Sequence, residues 1–347
     1  MAVITSTATG NWNATSTWAG GAVPHDTNDD VVIANGHTVT LTGGDACKSL
    51  EVQSGGTFDG DGNMMEISGE NGSGFAVDID GAISGTDTDF DIRTPATTDI
   101  DLAATSGNVR NLVIQHASCV AQMKSDVSLS GNLTVTSGQL TTGTSGYGYS
   151  NLTVTGDCYV AGTLTGNASA ISLGSLEVAA SGKYNATSGT TTITAEDSVT
   201  GFAWDVNGTD SFDNNDGTVL FDLGSGVDSL IRTGQSDGAN SFHHLTVLLN
   251  ASTNTLTMRP NTGTVMTVEG DLTVQEGVFQ KNTHSHTLTV TGDVSIESGG
   301  KIDATSASGA NNFGSITIAS GGTYLATSGT TTVSGNFLNL GTFTHND

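Results

Sequence analysis

The chain has 347 residues, among them 47 glycines and only 3 prolines, and a formal net charge of −26 from 35 acidic against 9 basic side chains. Binding phosphate takes Lys and Arg, so this balance excludes a nucleic-acid role and disfavours anionic membrane surfaces. Val, Ile and Thr recur in register between glycines, which suits short strands and tight turns rather than disorder or long helices.

Residues 1–46 differ from the rest. The N-terminus Met1-Ala-Val-Ile-Thr-Ser-Thr7 has neither a basic start nor an apolar run. The expectation is therefore a chain made in the cytoplasm and released by lysis, or one whose leader has been trimmed. Trp12, Trp18 and Pro24 precede the first alternating run, His37-Thr-Val-Thr-Leu41. The end of a stacked fold exposes unpaired backbone and apolar core, so two tryptophans ahead of the first coil are expected to plug it.

The two Trp-containing stretches, the Gly20-Gly-Ala-Val-Pro24 turn and the Asp-Val-Val-Ile … Gly-His-Thr-Val-Thr-Leu run ending at Leu41 cover about a tenth of the chain. This opening resembles the start of right-handed β-helical proteins of bacterial surfaces and of tailed-bacteriophage virions. The resemblance implies a right-handed parallel β-helix. It implies a virion or surface location and, among virion parts, frequent trimers.

From residue 47 onward the pattern is repetitive. Gly74-Phe-Ala-Val-Asp-Ile-Asp-Gly81 returns as Gly201-Phe-Ala-Trp-Asp-Val-Asn-Gly208, and Leu50-Glu-Val as Leu176-Glu-Val. Tyr184-Asn-Ala-Thr-Ser-Gly-Thr-Thr-Thr returns as Tyr324-Leu-Ala-Thr-Ser-Gly-Thr-Thr-Thr. A long unit of several coils was thus copied, over about 47–173 and 174–313, with a truncated third copy from 314 to 347. The octets Gly270-Asp-Leu-Thr-Val-Gln-Glu-Gly277, Gly292-Asp-Val-Ser-Ile-Glu-Ser-Gly299 and Gly314-Ser-Ile-Thr-Ile-Ala-Ser-Gly321 follow one another at equal intervals. A degraded copy follows at Gly335-Asn-Phe-Leu-Asn-Leu-Gly341. Alternation inside each octet makes a half-buried strand, and the glycines are read as corner residues. The fold class is therefore all-β: a right-handed parallel β-solenoid of about 22 residues per coil and about 13 or 14 coils, with an N-terminal cap. Phe337, Leu340 and Phe343 fall on an uncovered C-terminal edge, where a symmetry mate or another protein is expected to dock.

Candidate chemistry is sparse. Asp59, Asp61 and Asn63 alternate as oxygen ligands, and Glu70 stands eleven positions after Asp59, as calcium loops require. Met64 occupies the sixth position, which such loops reserve for glycine, so a polar turn is the competing reading. Acidic groups follow both Gly-Phe-Ala copies, at 78–101 and 205–228, and Asp87-Thr-Asp-Phe-Asp91 would place three carboxylates on one strand face. A glycosidase needs two carboxyls about 5–9.5 Å apart, and chance supplies such pairs in so acidic a chain. Outside the cap only Trp204, Tyr147 and Tyr149 are candidates for stacking on a sugar, and Trp204 alternates with Phe202 like a core residue. Of the histidine clusters His243-His244 and His284-Ser-His286, the His-x-His pair could place a metal on a trimer axis, against a plain polar-loop reading. Cys47, Cys119 and Cys158 form neither a disulfide framework nor a zinc motif, and Cys158 lies in an apolar slot.

The expected role is a non-enzymatic virion component: a capsid decoration, head fibre or tail fibre, homo-oligomeric and bound to other virion proteins. No cofactor beyond a possible calcium ion is expected. The alternatives are a glycan-binding or glycan-cleaving tailspike acting on a host surface glycan, and an extracellular bacterial adhesin.

Overall fold

The computed structural model describes the chain except residues 1, 26, 85–86, 104–106, 108, 145, 147, 225, 235–239, 260–264, 282–284 and 347. It separates into two compact units, Met1–Ser169 and Ala170–Asp347. Each unit is a parallel β-solenoid. Among the described residues the only helical segments are two single 3-10 turns, Thr15–Thr17 and Ala19–Gly21.

In the first unit the strands Asp30–Ile33, Ser49–Val52, Phe75–Ile79, Thr97–Asp101 and Val120–Met123 pair in parallel, each with the strand one turn on. Alternation sends one face inward, and the inward residues stack in columns. Val31, Leu50, Val77, Ile100 and Met123 face one another in register, none more than 1% exposed. A second column runs Cys47, Ile67, Ile92, Ile114, Val135 and Val160. Burial pushes the Cys119 thiol up to about 11 and the Cys158 thiol up to about 12, so both are apolar filling rather than nucleophiles.

The second unit repeats the plan. Ile193, Phe221, Val247, Val274, Ile296, Ile318 and Asn339 lie in one register column. The column advances in nearly even steps from Val274 through Ile296 and Ile318 to Asn339. The earlier steps, from Ile193 to Phe221 and from Val247 to Val274, are several residues longer. The regular period thus holds only over the octets, and the extra residues of the longer turns lie between strands. An aromatic cluster fills the core where the turns are long. Trp204 lies 4.9 Å from Phe212, 5.3 Å from Phe242 and 6.2 Å from Tyr184.

The octet has two kinds of glycine. Gly299 and Gly321, which end their octets, have φ of 95° and 89°, and turn the corner as the sequence suggests. The leading glycines serve space instead. A Cβ on Gly292 would sit 2.6 Å from the Gly270 carbonyl and closer still to the Asp271 carboxylate of the preceding turn. At Gly292 the residue after the preceding leading glycine, Asp271, adds to that crowding, because its side chain reaches across to the next turn. Asp271 Oδ1 accepts the Asp293 N–H at 2.9 Å, and His244 Nδ1 accepts the Asp271 N–H at 3.0 Å. In the first unit Asn111 Oδ1 accepts the Asn132 N–H at 2.8 Å, and Asn132 Oδ1 the Asp157 N–H at 2.9 Å. These side chains satisfy backbone donors that the corner takes out of the ladder.

The copied segments keep their local geometry. Glu51 pairs with Asp78 in the first unit, and Glu177 with Asp205 in the second. Each Gly-Phe-Ala motif carries a bulge on the strand pair that follows, at Phe75 to Val77 and at Phe202 to Trp204. The skipped residues, Ala76 and Ala203, are fully buried, which explains why both copies keep an alanine there.

Candidate functional site

Two of the three carboxylates expected on one face at 87–91 are paired with arginine in the structure. Asp89 and Asp91 lie on Thr88–Ile92, and both are buried. Arg110 forks onto Asp89 with its Nε at 2.9 Å and Nη2 at 2.6 Å. Arg93 bridges Asp91 and Glu66, each at 2.8 Å. These pairs tie one turn to the next, and the basic residues that would cradle an anion are used up in them.

A different carboxylate row has no arginine forked onto it among the described residues. Glu51, Asp78 and Asp101 stack on successive turns. Burial, and then the neighbouring charges of Asp80, Asp101 and Glu51, raise Asp78 to about 6. In the second unit the third place belongs to Arg232, whose guanidinium forks onto Asp205 and lies 4.6 Å from the Phe202 ring centre. The two copies thus solve one electrostatic problem differently. The native-state pKa of Asp78 is above its unfolded value, so its contribution is fully present below about pH 4 and is lost as pH rises through about 6. Asp78→Asn is expected to raise stability at pH 7.5 by about 1 kcal/mol, with solvent screening allowed for, and to change nothing at pH 4. Thermal midpoints at the two pH values check this.

The proposed calcium residues do not converge. Asp59 Oδ1 accepts the Asp61 N–H at 3.1 Å, and Asn63 Nδ2 donates to the Gly60 and Asp61 carbonyls. They build the turn, with Asp61 in the left-handed region at φ 46°. Glu70 lines a separate groove with Lys48, Thr94 and Pro95. Among the described residues no group of three or more His, Cys, Asp or Glu is gathered to hold a metal. His284 and Tyr147 lie outside the described residues, and His286 is buried. His243 and His244 meet edge to face at 4.4 Å, and His244 serves the turn ladder.

Of the aromatics expected to stack on a sugar, Trp204 is fully buried and Tyr149 is 44% exposed. Trp12 and Trp18 are buried and meet edge to face at 5.1 Å. Trp18 Nε1 donates to the Trp12 carbonyl and Trp12 Nε1 to that of Pro24, so neither indole N–H is orphaned. Trp12 also lies 6.3 Å from Phe58, which stacks on Phe90.

Two surface features remain. In the second unit an open groove of about 570 Å³ is lined by Lys183, Asp210, Asp213, Asn214, Ser241 and Glu269. Ser241 Oγ and Asn214 Nδ2 both donate to the Glu269 carboxylate. The groove offers hydrogen-bonding groups, among them the Ser241 hydroxyl held on the Glu269 carboxylate. The other feature is the last turn, where Phe337, Leu338, Leu340 and Phe343 are 39–64% exposed. Phe337 extends the column of Ile316, and Phe343 that of Tyr324. The groove had no sequence signal, because its residues come from separate turns.

In comparison with known proteins, no family model matches the chain, and no curated protein or solved structure matches it.

Proposed function

We propose that this chain is a structural protein of the virion type, a decoration or fibre subunit whose task is mechanical and which assembles through its last turn. Trp12 and Trp18 plug the start of the first unit's stack. The carrying observation is the character of the last turn. From Gly321 to Asn346 the sequence holds no Asp, Glu, Lys or Arg, in a chain of net charge −26. Elsewhere the acidic surface repels a second copy. Natural edge strands are blunted by charge or proline, and this one carries four exposed apolar side chains instead. A second copy of the chain is the occupant we assign to it, because a neutral face is where two acidic molecules can meet without repulsion.

Light scattering of the intact chain tests the assignment. An oligomer is expected, and Leu340→Lys with Phe343→Lys should give a monomer of unchanged β-sheet circular dichroism. A wild type that stays monomeric up to high micromolar concentration, or an oligomer indifferent to the two lysines, removes the assignment. A second reading, glycan binding, is favoured by the open groove around Glu269. It calls for glycan-array binding that Glu269→Gln and Lys183→Ala abolish.

A further inference from the structure

Lys281 and Asn311 are both fully buried in the second unit. Lys281 Nζ donates to the Gly309 and Ala310 carbonyls at 3.0 Å and to Asn311 Oδ1 at 2.6 Å. Asn311 Nδ2 donates to the Tyr324 hydroxyl at 2.8 Å, which in turn meets Thr331 Oγ1 at 3.0 Å. Among the described residues no carboxylate pairs with this lysine. A buried ammonium without a counter-ion is a costly feature to keep.

The copied segment shows that the fold does not need it. Tyr184 closes the same clasp onto Thr191, at 2.7 Å, as Tyr324 does onto Thr331. Ile171 faces Thr191 just as Asn311 faces Thr331. An apolar residue thus fills the place of Asn311 in the other copy. The amine and amide are an added pair, held together in the dry interior of adjacent turns.

We propose that Lys281 and Asn311 are a self-processing pair, in which the lysine amine attacks the asparagine side-chain carbonyl to form an intramolecular isopeptide bond. A C=O bond is about 1.23 Å long, so Asn311 Cγ lies within about 3.8 Å of Nζ, close to the ~3–3.5 Å of a reactive approach. The Nζ–Cγ bond forms and the Cγ–Nδ2 bond breaks. One proton passes from the attacking to the leaving nitrogen, and ammonia departs, so lysine amine plus primary amide gives secondary amide plus ammonia. The Tyr324 hydroxyl touches the leaving nitrogen and is the group placed to hand it a proton, which the attacking nitrogen restores. Burial lowers Lys281 to about 8, which leaves a neutral amine fraction near neutral pH. The product would close a loop around one turn of the solenoid, as a disulfide does, but without sensitivity to reductants.

Intact mass spectrometry of the folded chain, aged at pH 9, tests this. The expected mass is short of the sequence mass by one ammonia, and digestion should give one branched peptide joining Lys281 to residue 311. Lys281→Met and Asn311→Ile, the second copying the Ile171 position, should both keep full mass with native circular dichroism. A folded wild type at full sequence mass after ageing overturns the proposal. So does an ammonia loss that persists in Lys281→Met, which would mark cyclisation of an asparagine on its own backbone.

Discussion

Trp204→Ala is expected to destabilise the second unit by about 3–5 kcal/mol, the range for deleting a fully buried large aromatic. The indole is 0% exposed and sits among Tyr184, Phe212, Phe221 and Phe242, so its loss opens a hole that four rings border. The stack can relax little, because each ring is fixed by the turn above or below it. The copied position explains why the effect is local. Val77 stands there in the first unit, between Leu50 and Ile100, where an aliphatic side chain fills the column. Trp204→Val restores the other copy's residue without restoring its neighbours, so it too is expected to cost at least about 2 kcal/mol. Trp204→Phe should cost the least of the three, since the indole N–H has no hydrogen-bond partner in its buried site. Denaturant midpoints followed by circular dichroism read all three. A loss below about 1 kcal/mol for Trp204→Ala would contradict the packing described.

The second large effect belongs to a residue with no side chain. Gly292→Ala places a methyl group against the Asp271 carboxylate and the Gly270 carbonyl, and should cost about 3 kcal/mol. Removing the carboxylate as well, in Asp271→Gly with Gly292→Ala, is expected to recover only part of the loss. The Gly270 carbonyl still blocks the methyl, and the Asp293 N–H loses its acceptor. Gly72→Ala is the control: nothing lies within 4 Å of its Cβ position and its φ is not positive, so a change within about 0.5 kcal/mol is expected. If Gly72→Ala and Gly292→Ala cost the same, glycine matters here through chain entropy and not through turn-to-turn contact.

Much of the fold was legible in the residues. A period of two inside each octet, and octets that return at equal intervals, leave few arrangements other than stacked parallel turns. An inward face repeated at fixed spacing must be buried against its own repeat. In the octets the leading glycine leaves room for the turn beside it, and at Gly292 for the cross-turn acceptor Asp271. Contacts that join separate turns were not legible. Nothing in Asp89 or Asp91 names Arg110 and Arg93 as partners, and nothing in Glu70 says that it lines a groove with Lys48 and Thr94. Residues that touch across turns stand a whole turn apart in sequence, and the step from Cys47 to Ile67 is shorter than that from Ile193 to Phe221. With turn length so variable, local spacing does not report which side chains meet.

By itself the sequence determined that this is a parallel β-solenoid with internally copied turns and an acidic composition, since periodicity and charge are properties of order along the chain. Only the tertiary structure decided which charges are paired, that Asp78 lacks the cation Asp205 has, and that Lys281 lies against Asn311. Those outcomes depend on which side chains are brought within a few ångströms across turns and how far water is excluded there, and a linear spacing carries neither quantity.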